Sequence, residues 1–407
     1  MSSFHVLIAG GGIGGLCLAQ GLKKAGMSCA VYEATPGVMR TGYRLHMNAT
    51  GGGALKECLP ENLYELYMQT SRIKPRRELF VMLDDQCREL GTRPHIGPPN
   101  DPDRPHTAVN RRTLRQIMHS GLEDIVHFGH TVTGYEEDGD QVRLLFADGT
   151  SADGDVLIAA DGLHSPVRRQ RLPEVPTVDT GMRSVAACVP LTDDLVAILP
   201  EALFDGFVLA SSADAVNFSF GAWQPRRPVA EAVADLAPGS DIHHVEPYMM
   251  VHCGFQEGSP YLAAIPDLWK ATPEELHRVM REAVRGWHPG VVELVEHADK
   301  STLAPMSVRR LEPVDTWETG RVSFLGDAIH AMPPSFGSGA NTALRDASSL
   351  AGALDRAVNG GGDLLAEIAA YEEGMRAEVW PIFRASADPR SFSQADFLPD
   401  DVPVAGR

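Results

Sequence analysis

The chain has 407 residues, 43% of them apolar and 22% charged, the composition of a globular protein with more than one hydrophobic core. With 36 basic against 54 acidic residues, the net charge is −18, which argues against nucleic acid or an anionic membrane as a partner, because both need a basic face. Six scattered cysteines (Cys17, Cys29, Cys58, Cys87, Cys188 and Cys253) form no C-x-x-C pair, so they read as small buried thiols of a reducing cytoplasm, and no metal site is expected.

Residues 4–9 are a compact apolar run that predicts a buried parallel strand. A helix is expected from Ile13 to Ala25, with Leu16, Leu18, Ala19 and Leu22 on its apolar side and Gly26 as its stop. A second strand at 28–32 runs up to Glu33, which completes a βαβ unit. Residues 110–120 read as a helix and 142–146 as a strand, and the Asp148-Gly149 turn leads to a further strand at 155–160. Between about 177 and 301 the runs shorten to strand lengths, among them Ser184–Val189, Gly206–Ser211 and Val216–Ala222, which predicts an antiparallel sheet. A helix at 274–286 lies within that region, and the pair His243-His244 reads as part of a loop. The chain then returns to α/β character, with a strand at 321–325, a helix from about Gly339 through Leu354, and another from Leu364 that stops before Pro381. From Ser386 the tail is rich in Asp and Pro and reads as an extended or poorly ordered arm. No apolar run reaches the ~18 residues that a bilayer span needs.

Three signatures carry the chemistry. In the first, strand, Gly10-x-Gly12-x-x-Gly15, helix and strand lead to an acid, the pattern of a dinucleotide site. Gly10 permits the tight turn, Gly12 lets backbone approach a pyrophosphate, and Gly15 lets the helix pack on the strand. The N-terminus of the helix, at Ile13 and Gly14, supplies free N–H groups to phosphate. Glu33 stands where a carboxylate accepts hydrogen bonds from ribose hydroxyls. The second signature is the strand that begins at Asp155 and ends in the Asp161-Gly162 turn, followed by Ser165 and Arg168. The third is Gly326-Asp327-Ala328-Ile329-His330, followed by Pro333, Pro334, Gly337, Gly339, Ala340 and Asn341. Its Asp stands at the C-terminal edge of a strand, and its small residues lead into a helix whose N-terminus stabilises negative charge on a flat ring.

With these motifs in this order, over about residues 4–380, the chain resembles the flavoprotein monooxygenases of the para-hydroxybenzoate hydroxylase type. The resemblance implies an α/β fold with a Rossmann-like FAD-binding domain (GR2-type) and an interleaved antiparallel-sheet substrate domain. The FAD-binding part would comprise residues 1–71, 109–176 and 302–385, the substrate part 72–108 and 177–301, and the tail 386–407. It also implies FAD as cofactor. Gly10, Gly12, Gly15 and Glu33 would hold its ADP half, and Asp161 and Gly162 would serve both FAD and a passing nicotinamide. Asp327 would hold the ribityl chain, with Pro334 and the segment Gly339 to Asn341 beside the flavin ring. The family's N-R-x-x-L helix start is matched at Asn110 to Leu114 and places Arg111 near the flavin, while Arg40 is a candidate pyrophosphate contact. Many relatives carry Arg directly after the ribose-binding acid, where this chain has Ala34.

The implied reaction is hydroxylation of an aromatic or polyketide-like phenol with O₂ and NADH or NADPH through a flavin hydroperoxide. The cofactor carries this chemistry, and no catalytic base is nominated. His46 is the candidate for a hydrogen bond to substrate, and Phe220 and Met249 are candidates either for an apolar substrate pocket or for the core of the sheet. The same fold also serves flavoproteins with a non-redox cyclisation role and reductases that do not use O₂.

Overall fold

The computed structural model describes residues 4–37, 43–98, 100–101, 103–394, 397–398 and 402. Five short strands form a parallel sheet in the spatial order Val322–Phe324, Val156–Ala159, His5–Ala9, Ser28–Glu33, Val126–Phe128. Val6 to Ala9 and Val156 to Ala159 are fully buried, as strands covered on both faces must be. The helix Ile13–Lys24 packs on Gly339–Val358, and Gly21 permits close approach, since a methyl group there would meet Ala351 Cβ at 2.9 Å and Cys58 Sγ at 3.1 Å.

A seven-stranded sheet runs in the order Ala304–Leu311, Thr177–Pro190, Tyr248–Gln256, Asn217–Trp223, Phe207–Ser211, Phe80–Asp84, Glu89–Arg93. Its pairs are antiparallel except one: Phe207–Ser211 runs parallel to Phe80–Asp84. The sheet is therefore mixed, because Phe80–Asp84 reaches it from a distant part of the chain rather than through a hairpin. Helices Pro273–Ala283 and Pro289–Glu296 cover one face. A two-stranded ribbon, Arg44–Met47 with Thr107–Asn110, lies against the other, where Arg44 packs on Gly221.

The two-residue period of strands decides which side chains see which face. Phe218, Phe220 and Ala222, together with Met249, Val251, Cys253 and Phe255, point into the core under the two helices. Phe220 and Met249 are fully buried there, so the structure moves both away from the pocket role that the sequence suggested. Ser219, Gly221 and Trp223, with Tyr248, Met250 and His252, occupy the opposite face. Trp223, Tyr248 and Met250 join the core of the parallel-sheet part, while Ser219 and His252 stay half-buried.

Two further expectations are corrected. The last long helix runs Leu364–Ala387, straight through Pro381. Pro381 removes one backbone donor, but Val379, Trp380 and Phe383 on either side are buried and hold the helix together across it. The tail is anchored rather than loose in its described residues. A short helix covers Arg390–Ser393, and Phe397, Leu398 and Val402 pack with Ile96 and Phe336. His243 and His244 lie in a segment without regular structure, as expected.

Candidate functional site

The three signatures meet at one edge. Four neighbouring parallel strands end there, and each delivers one piece: Gly10 to Gly15 after His5–Ala9, Glu33 at the end of Ser28–Glu33, Asp161-Gly162 after Val156–Ala159, and Gly326-Asp327 after Val322–Phe324. Ligands bind at such carboxyl ends in open α/β sheets. Contacts between the pieces are direct. Gly10 has φ +103, and a side chain there would collide with the Ala160 carbonyl. At Gly15 a methyl group would strike the Gly10 carbonyl, and at Gly14 it would meet Leu325 Cδ1 at 2.5 Å. Gly12 differs: the nearest atom to a methyl group there is the Ala160 oxygen at 3.9 Å, so its bare backbone faces open space.

The helices Ile13–Lys24 and Gly339–Val358 start with no side-chain cap, whereas those after Asn48, Asn110, Thr272 and Asp363 are capped by these residues. Free N–H groups at such starts form anion sites. Glu33 accepts hydrogen bonds from Gly11 N at 2.8 Å and Thr35 N at 3.0 Å. Arg115, which the sequence reading missed, donates to the Gly11 carbonyl at 2.7 Å and lies 3.7 Å from Glu33. It sits one helical turn beyond Arg111, and that spacing was the available signal. Arg111 begins the helix Arg111–His119, with its Nε buried and unpartnered. Arg40 lies outside the described residues.

Asp161 has both carboxylate oxygens buried without a hydrogen-bond partner. Burial pushes its carboxyl up to about 6, against the pull of Ser165, Arg168 and Arg169. Gly162 follows in the left-handed region, at φ +75. Arg168, almost fully buried, donates to the Ala328 carbonyl at 3.0 Å and ties the second signature to the third. In the third, Asp346 accepts from Gly326 N at 3.1 Å and pairs with His330 Nε2 at 2.5 Å, both fully buried. Burial opposes a charged imidazole, yet Asp346 holds the His330 pKa up. Asp327 and Pro334 are exposed, and Gly337, Gly339 and Ala340 are half-buried on the same loop and helix start. Asn341 is buried: it donates to the His46 carbonyl at 2.9 Å and accepts from Asn48 N at 2.9 Å.

His46 packs beside Gly337 with neither ring nitrogen partnered. Its ring lies tilted beside that of His95, with the centroids 4.1 Å apart, and together with Glu78 the three bring one ligand-type atom each within 4.8 Å of one another. Burial is the main cause that keeps both imidazoles neutral. Burial opposes ionisation of Glu78, but His95, Arg72 and Arg44 hold its carboxyl down at about 2. Arg72 lies 2.5 Å from the other Glu78 oxygen, so two guanidinium groups stand against a divalent cation at this place. The cluster is a buried polar layer between the ribbon and the large sheet. On the open sheet face, His252 has Nε2 buried and unpartnered, meets Tyr43 edge-on at 5.7 Å, and is held by burial at about 4.

This edge brings together a glycine-rich turn with open backbone at Gly12, the Glu33 carboxylate, and an uncapped helix start beside a loop of small residues. The comparisons supply the class. The family model described as FAD binding domain matches residues 3–386. Over 390 residues the chain is 30% identical to a dual O-methyltransferase/FAD-dependent monooxygenase of Cercospora beticola, covering 92% of this chain and 44% of that protein. The chain thus spans less than half the length of that relative. An FAD-dependent urate hydroxylase of Klebsiella oxytoca is 28% identical over 346 residues, 84% of this chain and 79% of its own length. A solved structure from Photorhabdus luminescens, described as an FAD-containing monooxygenase, matches with a TM-score of 0.80 at 28% identity, covering 97% of this chain and 100% of that one. The chain belongs to the FAD-binding family that this model describes, the family of the flavoprotein monooxygenases of the para-hydroxybenzoate hydroxylase type. The open backbone at Gly12, the two uncapped helix starts and the orphaned Asp161 carboxylate all fit that cofactor.

Two glycine substitutions separate ligand space from packing space. Gly12→Val meets no neighbour, so the expected outcome is a folded chain that retains no flavin, checked by visible absorbance of the purified protein. Gly15→Ala drives a methyl group into the Gly10 carbonyl and is expected to lower stability by about 1–3 kcal/mol or more, checked by urea denaturation. Asp161 adds a pH test. Its folded pKa, about 6, lies above the ordinary 3.8, so the folded chain holds this proton more tightly, and the carboxyl's contribution to stability falls as pH rises through about 6. In the flavin-free protein, Asp161→Asn is therefore expected to stabilise by about 1–3 kcal/mol at pH 8, shrinking towards zero near pH 4. An equal gain at both pH values contradicts the assignment.

Proposed function

We propose that this enzyme hydroxylates an aromatic ring using O₂ and NADH or NADPH. NAD(P)H would give two electrons, one oxygen atom would enter the ring, and the other would leave as water. The observation that carries the proposal is the meeting of all three signatures at one sheet edge. A relative named for urate hydroxylation supports a ring substrate.

In this reading Gly12, Ile13, Gly14 and Gly15 present backbone N–H groups to the pyrophosphate, Gly10 makes the tight turn with its own N–H on the Tyr32 carbonyl, and Arg40 is a further contact. Glu33 faces the adenosine ribose, steadied by Arg115. Asp161 and Gly162 serve the middle of FAD, Arg111 the flavin end, and Gly326 and Asp327 the ribityl chain. Pro334, Gly337, Gly339, Ala340 and Asn341 border the ring, where the uncapped start of Gly339–Val358 favours negative charge. Bound FAD would supply electron transfer and oxygen activation; the chain's own residues orient the ring and keep water out. In this reading the FAD part is residues 1–71, 109–176 and 302–385, and its strand Ala304–Leu311 pairs with the edge of the large sheet at Thr177–Pro190.

Substrate contact falls to the open face of that sheet. His252 stays neutral above about pH 4 and offers one unused hydrogen-bonding nitrogen, with Tyr43 and Ser219 nearby in the fold. His46 lies against Gly337, on the loop assigned to the flavin ring.

The test follows NADH and NADPH oxidation together with O₂ uptake by the flavin-loaded enzyme against hydroxylated benzenes and aromatic N-heterocycles. At least one ring compound is expected to raise the rate about tenfold over the substrate-free rate, on the order of 1.4 kcal/mol, and to gain one oxygen atom. His252→Phe is expected to raise KM more than it lowers kcat. No ring compound stimulating either consumption contradicts the proposal.

A further inference from the structure

Arg93 is the last residue of the edge strand Glu89–Arg93 and is 2% exposed. Among the described residues it has no carboxylate partner. Its guanidinium lies between two rings, 4.1 Å from the centroid of Phe80 and 4.4 Å from that of Phe336. Its N–H groups donate to three carbonyls: Ser391 at 2.9 Å, Phe397 at 3.1 Å and Ser335 at 3.4 Å. Burial lowers its pKa to about 10, so it stays charged at neutral pH. A buried charge without an acid is costly, and here only two ring faces and three carbonyls offset that cost.

What those partners have in common is their position. Phe80 belongs to the large sheet. Ser335 and Phe336 form the loop Pro334–Gly337, which precedes the helix start assigned to the flavin ring. Ser391 and Phe397 belong to the C-terminal segment. The loop has further anchors, since Ser335 Oγ donates to the Ser386 carbonyl of the helix Leu364–Ala387 at 3.0 Å, and Phe336 packs with Ile96, Ala385 and Val402.

We propose that Arg93 is a positioning residue for the cofactor: it fastens the loop Pro334–Gly337 to the large sheet on one side and to the C-terminal segment on the other, and so fixes where the flavin ring lies. The proposal rests on the functional reading above. It makes Ser391 and Phe397 part of the support of the flavin site, through their carbonyls. Lysine cannot replace Arg93, because an ammonium group has no flat face to lie between two rings and no planar fork to reach three carbonyls.

The test uses full-length apoprotein titrated with FAD, read by flavin fluorescence for affinity and by the fine structure of the visible flavin band for the surroundings of the ring. Arg93→Met is expected to weaken FAD binding about tenfold, the scale of one lost charge-assisted hydrogen bond, and to blur the band. Arg93→Lys is expected to fall close to Arg93→Met rather than to rescue it. A chain shortened after Asp388 lacks the Ser391 and Phe397 carbonyls and is expected to show the same loss, and it carries the test alone if Arg93→Met does not fold. Combining the two changes is expected to cost less than the product of the single losses, because both cut the Ser391 and Phe397 bonds. Arg143→Met, which removes an exposed pair with Asp153, serves as the control with unchanged affinity. Wild-type affinity and band shape in Arg93→Met or in the shortened chain overturn the proposal, as does a double change whose effects multiply. A wild-type chain that binds no FAD overturns the functional reading itself, and the two failures are thus told apart.

Discussion

The site depends on one crowded crossing of backbone. Where His5–Ala9 and Val156–Ala159 end side by side, the turn at Gly10 lies against the carbonyl of Ala160, and the first turn of Ile13–Lys24 lies against the carbonyl of Gly10. No β-carbon fits at Gly10 or Gly15. This contact sets the height of the helix above the sheet and hence where its free N–H groups point. It also sets the distance from the turn to Asp161. The third signature is then held in register from the other side, by Gly14 against Leu325 and by the buried His330–Asp346 pair. The cradle is built from backbone in contact with backbone, which is why glycine dominates it.

The large sheet contributes a wall rather than a motif. One face is sealed by two helices and filled with Phe218, Phe220, Met249 and Val251, and this core gives the wall its rigidity. The other face is partly covered by the ribbon Arg44–Met47/Thr107–Asn110 and remains half-open at Ser219 and His252. A wall that is rigid behind and sparsely polar in front suits an enzyme whose cofactor does the chemistry and whose protein must place a flat ring and exclude water.

The glycine signatures were legible in sequence because their cause is local: a turn at φ +103 or a methyl group that does not fit leaves a residue-level trace. The βαβ start, the strands leading to Asp161 and Gly326, and the helix after Gly339 were legible for the same reason, since each has its own period and punctuation. Phe220 and Met249 were open between pocket and core because both faces of the large sheet carry apolar residues, and only register assigns a side chain to one of them. Pro381 broke a local rule that the burial of Trp380 and Phe383 overrides. Arg93 and the layer of His46, Glu78 and His95 left no motif, because their partners lie elsewhere along the chain, and Arg115 left only its helical spacing from Arg111.

The central claim is that one FAD lies along the edge where four parallel strands end, with its adenosine near Glu33 and its flavin ring between the loop Pro334–Gly337 and the open sheet face. A crystal structure of the flavin-loaded protein tests this most directly. The expected result is electron density for FAD running from Glu33 past Gly12 and Asp327, with the ring beside Pro334 and on the same side of the sheet as His252. Density with the ring on the Phe220 and Met249 side, or with the pyrophosphate away from Gly12, would contradict it.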